Sequence, residues 1–281
     1  MQTLDQKHAR DLGEGADISA GARPNRTLVI ASTPRSGSSM LGALCARTGR
    51  LGVPREYMEP GALAWLSRRF GTDDAAVVLR EVMARRSSAD GVFAIKLHYD
   101  HRRTLPGFFD LRAALPDPRL VLIERDDAMA QALSLARSWQ TGAYNATLQA
   151  RGEARFDPRL IERALRLVTL HAAAWRYETA RQGLPWIRLS FDEVVADPPG
   201  AVARIAEVMD VRIAAEDLPT APPTRPMPRD PEAASWPDRW RAQARAEPPF
   251  EAAETPRARE RPAVGLRARA KRKLRQWIDR L

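Results

Sequence analysis

Cysteine is all but missing from this 281-residue chain, which carries a single one, Cys45. One thiol excludes an intramolecular disulfide framework and gives no sign of an oxidising compartment. Long apolar runs are missing too, so no stretch is expected to span a bilayer. The opening MQTLDQKHARDLGEGADISAG mixes charges of both signs and has no hydrophobic region of the signal-peptide kind. These absences predict a protein made and kept in the cytoplasm. Metal-ligand spacing is wanting as well. His98, Asp100 and His101 lie close together, but period-two alternation brings at most two of them to one face. No metal is expected, and no internal repeat is found.

What is present is an ordinary globular make-up, 44% hydrophobic and long enough for one large domain or two small ones. A net charge of +10 favours polyanionic partners: nucleic acid, anionic lipid headgroups or phosphate-bearing small molecules. Much of the excess lies in the final LRARAKRKLRQWIDRL.

Short continuous apolar runs at 27–32, 91–97 (GVFAIKL), 119–124 (RLVLIE) and 185–190 read as buried strands. Helical spacing occupies 38–48, 62–70, 74–86, 128–139, 158–181 and 199–209. Strands alternating with helices predict an α/β fold with a central, mainly parallel sheet and helices on both faces. Residues 1–25 read as a flexible leader, 26–245 as the body, and 246–281 as a basic linker with an amphipathic helix. The proline-rich PTAPPTRPMPRDP at 219–231 reads as a linker or, in preference, as an ordered loop closing over a site.

The most informative stretch is TLVIASTPRSGSSM, a strand running straight into a turn of hydroxyls, one glycine and an arginine. In an α/β sheet such a turn lies at the carboxyl end of a strand, where ligands bind. Gly37 lets the backbone turn and approach a ligand closely. The N–H groups opening the next helix converge on one spot, where the helix dipole also favours an anion. Arg35 adds a full charge, and Ser36, Ser38 and Ser39 add hydroxyl donors. The same letters also suit a plain strand–helix turn with an N-capping serine. A Walker A loop would need GxxxxGK[ST], and no lysine stands in the turn; a serine-hydrolase elbow would need GxSxG, which is absent.

Four blocks, in order, resemble the sulfotransferases that use 3′-phosphoadenosine 5′-phosphosulfate (PAPS), and more closely the bacterial trehalose 2-sulfotransferase family. They are STPRSGSSML with GVPREYMEP, then GVFAIKLHYD, then LVLIERDDAMAQALSLARSWQTGAY, and IRLSFDEVVADPPGAVARIAEVMDV. The first and third are the specific ones. The resemblance implies a P-loop-like three-layer sandwich, with 26–245 as the sulfotransferase domain and PAPS as donor.

It places Arg35–Ser39 (Arg35, Ser36, Gly37, Ser38, Ser39) at the 5′-phosphosulfate, and Arg125 with Ser134 at the 3′-phosphate. A guanidinium and a hydroxyl suit a phosphate dianion. Cytosolic sulfotransferases space this Arg and Ser eight apart. Here the gap is nine, with Asp126 at the eighth position, and pairing of Arg125 with Asp126 or Asp127 is the competing reading. Two residues compete as base for the acceptor hydroxyl. Glu56 matches the carboxylate that the trehalose-type family sets beside its acceptor, and His98 sits where cytosolic sulfotransferases carry their histidine. A glutamate base would need its pKa raised by burial, a histidine would not. Lys96 reads either as a contact to the sulfuryl oxygens or as a lysine snorkelling from a strand edge. Arg229, with Trp236 and Arg239, resembles a loop closing over the nucleotide.

The resemblance implies a sugar hydroxyl as acceptor, on a carbohydrate or a lipid-linked sugar, and a homodimer. Trp65, Trp139 and Tyr144 are sugar-stacking candidates or core residues. In 263–281 the apolar residues fall on one stripe amid Arg and Lys. That pattern suits an anionic membrane surface, at the inner face, or packing on the protein; nucleic acid is not expected. The rival readings are a nucleotide or small-molecule kinase with an aberrant P-loop, and a non-enzymatic basic membrane- or nucleic-acid-binding protein.

Overall fold

The four apolar runs form β1 (Arg26–Ser32), β2 (Val92–His98), β3 (Pro118–Glu124) and β4 (Trp186–Ser190). The computed structural model describes residues 4–18, 23–107, 110–144, 152–221 and 232–244. The strands pair in the order β2-β1-β3-β4, every pair parallel. Helices cover both faces of such a sheet, so its strands need no apolar–polar alternation. Leu28, Val29, Ile30 and Ala31 on β1 are accordingly all buried, although they point alternately to opposite sides.

Among the described residues ten helices precede, connect or follow the strands: α1 (Leu4–Leu12), α2 (Ser38–Arg47), α3 (Pro60–Phe70), α4 (Ala75–Arg86), α5 (Leu111–Ala114), α6 (Ala128–Thr141), α7 (Pro158–Gln182), α8 (Phe191–Ala196), α9 (Pro198–Val208) and α10 (Trp236–Ala244). Val29, Phe93, Ile95 and Leu122 pack on one face against α3, α4 and Trp175 of α7. Leu28, Ile30, Ala94 and Val121 pack on the other against α2, α8 and α9. The α6–α7 pair has its own core with Trp236 of α10. Each fully buried Leu, Ile or Phe contributes about 1.5–3 kcal/mol, which is what holds the layers together.

Acids start most of these helices. Glu59, Asp74, Asp127, Asp157 and Asp197 each accept backbone N–H bonds as the N-caps of α3, α4, α6, α7 and α9. Such a cap contributes about 1 kcal/mol. At α2 the cap position is Gly37, and the first amides receive no side-chain cap. The alternative of an N-capping serine is thereby ruled out for this turn.

The N-terminus departs from the expected flexible leader. α1 is helical and Leu12 is buried in the sheet's core. Arginines far along the chain pin it down. Arg69 donates to the Leu12 carbonyl at 2.7 Å and pairs with Asp17 at 2.5 Å. Arg86, only 2% exposed, reaches the carbonyls of Asp11 and Gly13 and the Asp17 carboxylate.

By its contacts the chain divides into Met1–Arg241 and Ala242–Leu281. The basic helix read at 263–281, Arg229, and 222–231 of the proline-rich loop lie outside the described residues. Among the described residues no helix is long and apolar enough to cross a membrane.

Candidate active site

All four strands end on a polar side chain at the same edge of the sheet: Ser32, His98, Glu124 and Ser190, with Ser32 in register with His98 and Glu124 with Ser190. From Ser32 the chain turns through Thr33–Gly37 into α2. Gly37 has φ +92°, and a Cβ there would lie 2.4 Å from Cδ2 of Phe191. Arg35 also takes a left-handed φ of +67°, uncommon for a residue with a side chain. Neighbouring helices hold the turn in place. Trp175 donates its indole N–H to the Ser32 carbonyl at 3.0 Å. The Gln131 amide donates to Thr33 Oγ1 and to the Pro34 carbonyl, both at 2.7 Å. Inside the turn the Ser36 hydroxyl is fully buried and has no hydrogen-bond partner among the described residues. A buried hydroxyl left unpaired costs about 1–3 kcal/mol, a cost that an anion seated in the turn would remove.

Beside the turn, the end of β2 carries Lys96 and His98. Glu56 is brought to them by a one-residue parallel bridge between Arg55 and Ile95, in which the Lys96 N–H donates to the Arg55 carbonyl at 2.9 Å. Lys96 Nζ lies 2.8 Å from Glu56 Oε1 and donates to Ser39 Oγ at 2.7 Å. Buried and doubly engaged, Lys96 does not snorkel to solvent. His98 Nε2 is 3.0 Å from the same Oε1, and its Nδ1 is 3.0 Å from Ser32 Oγ. Burial by itself would raise the Glu56 carboxyl, but the Lys96 ammonium and the His98 ring outweigh it and hold it well below the usual carboxylate range. The raised glutamate expected from sequence is thus reversed in direction: Glu56 is an ionised carboxylate at neutral pH. The His101 ring lies tilted by 54° against that of His98, with centroids 4.9 Å apart, and its pKa is lowered by burial and by His98.

On the far side of the turn, Arg35 Nε donates to Ser134 Oγ at 2.9 Å, and its Nη1 donates to the Tyr144 carbonyl. Burial and the neighbouring Arg125 charge lower the Arg35 pKa. Arg125 lies over the Phe191 ring at 5.1 Å. The competing reading for Arg125 does not hold among the described residues. Asp126 is paired with Arg188 and Asp127 caps α6, accepting from Ala130 N–H at 2.8 Å. Arg35 thus brings the loop and Ser134, far apart in sequence, together.

Other candidates fall elsewhere. Trp236 is a core residue, 3% exposed against Phe156, and Arg239 stacks on that same ring at 4.0 Å, so neither closes over a nucleotide here. Trp65 and Trp139 pack against the cores, whereas Tyr144 is exposed. Sequence reasoning did not single out Ser32, Phe191 or Trp175. Only Gln131 carried a signal, standing three residues before Ser134 in the QALS run of the third family-like block.

This geometry meets an independent comparison. Residues 27–243 match the Stf0 sulphotransferase family, and the chain belongs to it. It is a sulfotransferase. No curated protein sequence matches. Among solved structures the chain is similar to the sulfotransferase domain of a Synechococcus olefin synthase, with 19% identity over 83% of this chain and 91% of that one and a TM-score of 0.45. It is similar to a sulfotransferase from Alicyclobacillus acidocaldarius, with 18% identity, 82% and 98% coverage and a TM-score of 0.42. It is also similar to retinol dehydratase in a complex with retinol and PAP, with 14% identity, 82% and 84% coverage and a TM-score of 0.41.

Proposed function

We propose that the chain moves a sulfuryl group from PAPS to a hydroxyl of a carbohydrate or glycoconjugate by in-line transfer, with side chains rather than a metal supplying the positive charge. The observation that carries this reading is Lys96 Nζ, shared at 2.7–2.8 Å between Ser39 of the anion turn and the Glu56 carboxylate. One ammonium thereby joins an anion-binding loop to a base, the two things that group transfer to a hydroxyl needs.

The residues present fit the donor. The unpartnered Ser36 hydroxyl, the Gly37 turn and the uncapped amides of α2 form a cradle for the phosphosulfate. Arg125 and Ser134, with Arg35 between, suit the 3′-phosphate. PAPS supplies an activated sulfuryl group, and the chain's own task is positioning and charge. Lys96 and Arg35 stabilise negative charge at the reacting oxygens, as oriented cations do in a water-poor site. Glu56, ionised and held by Lys96 and His98 through one oxygen, presents its second oxygen to take the acceptor's proton. His98 orients Glu56, and the proton taken from the acceptor hydroxyl neutralises the carboxylate as the oxygen attacks the sulfuryl group. The sugar acceptor is supported by the resemblance of the Glu56 segment to the trehalose-type family.

Thermal unfolding with adenosine 3′,5′-bisphosphate, beside ATP with and without Mg²⁺, tests the donor. Saturation to a hundred times the dissociation constant adds about 2.7 kcal/mol, a rise of about 5 °C or more at this size. A rise lost in Arg35→Ala and Arg125→Ala is expected. A rise with Mg·ATP alone would refute the reading. For the acceptor, sulfate transfer to a panel of sugars, sterols and phenols is expected to label sugars, and to fail in Glu56→Gln.

A further inference from the structure

The stretch Glu124–Asp127 sets three carboxylates around Arg125, a poor surrounding for a residue that binds an anion. The structure neutralises each of them separately. Asp127 is used by the α6 cap. Glu124, with its side chain only 12% exposed, is bracketed by two arginines. Arg176 of α7 donates to both its oxygens, at 3.1 and 2.6 Å, and Arg188 Nε donates to Oε2 at 2.9 Å. Asp126 is taken by the other arm of the same Arg188.

Strand register explains this reach. Arg188 lies opposite Leu122, so its side chain shares a face with Glu124 two residues on and meets it diagonally. The Arg188 backbone carbonyl in turn accepts from Arg204 at 3.1 Å, which fixes the strand edge that carries it.

We propose that Arg188 is a positioning residue for donor binding: by engaging both Glu124 and Asp126, it keeps Arg125 directed at the anion rather than at its own neighbours. Arg188 touches neither Arg35 nor the turn, and it acts through the two acids. The inference rests on the reading that Arg125 holds a phosphate of the donor. Without Arg188, Asp126, the residue next to Arg125 in the chain, loses its ion pair. It would either draw the guanidinium aside or offset its potential.

Calorimetric titration of the full chain with adenosine 3′,5′-bisphosphate separates the cases. Arg188→Gln is expected to weaken binding about five- to tenfold, the order of effect of one uncompensated carboxylate beside an anion site in a partly solvated medium. The turnover number at saturating PAPS should stay unchanged while the KM for PAPS rises. Adding Asp126→Asn to Arg188→Gln should restore most of the lost affinity, which no general loosening of the strand would allow. Arg188→Lys, keeping a cation that reaches one acid, should fall between wild type and Arg188→Gln. Binding by Arg188→Gln within twofold of wild type would overturn the proposal. So would a loss that Asp126→Asn does not restore. Undiminished binding by Arg125→Ala would instead overturn the donor-site reading beneath it.

Discussion

Replacing Gly37 by alanine tests whether the turn's geometry, and not only its residue types, makes the anion site. Two costs add. A side chain at φ +92° carries the left-handed penalty of about 1–2 kcal/mol. Its Cβ would also stand 2.4 and 3.1 Å from Cδ2 and Cε2 of Phe191, which must give way at an overpacking cost of about 1–3 kcal/mol. The sum of about 2–5 kcal/mol predicts a melting point lower by about 5–15 °C for a chain of this size. Phe191 is also the ring beneath Arg125, so moving it disturbs the second anion contact and should weaken bisphosphate binding about tenfold. Scanning calorimetry on Gly37→Ala, Phe191→Leu and the double variant separates the two costs. Because the shorter leucine relieves the clash, the double variant should be more stable than the sum of the singles by about 1 kcal/mol or more. Strict additivity, or a Gly37→Ala chain that melts and binds like wild type, would refute the reasoning.

Two further outcomes follow from charge and burial. Glu56 is held low by Lys96 and His98, so its stabilising contribution is complete above the ordinary carboxylate value and disappears as pH falls through its lowered one. Lys96→Gln removes the main counter-charge and leaves burial to raise the carboxyl. The acid limb of the kcat/KM profile should then move to higher pH, and an unmoved limb or a move to lower pH would contradict the assignment. Burial pushes the Cys45 thiol up to about 12, so the native chain should resist a thiol reagent at neutral pH and react only on unfolding. Fast labelling of the native chain would show that the α2 face is open.

The strands were legible because each is a short apolar run cut off by a turn, and the observed ends differ from the expected ones by a residue or so. The helices at 158–181 and 128–139 are likewise read nearly whole, since caps such as Asp157 and Gly183 are local signals. Illegible were the features that depend on distant partners. α1 has few apolar residues of its own and is fixed by Arg69 and Arg86, more than fifty residues away, which no local pattern announces. For the site, the residue types at Arg35–Ser39, Glu56, Lys96 and His98 could be named, but not that Lys96 and His98 share one Glu56 oxygen. That sharing reverses the pKa direction expected of a buried glutamate. Arg188 illustrates the same limit, because only strand pairing reveals which acids an exposed arginine on β4 engages.

The bridge between Arg55 and Ile95 has a consequence for the chain's solubility. β2 is an outer strand of the sheet, and its VFAIKL is the kind of apolar, weakly charged segment that recruits other chains when its open side is bare. The Arg55 carbonyl occupies the Lys96 N–H on that side, and Gly52 packs close against Val92 and Ala94. The segment that delivers the carboxylate thus also guards the sheet against edge-to-edge association. Damage to it would appear first as a protein that clumps during synthesis, and the loss of turnover would be the lesser symptom.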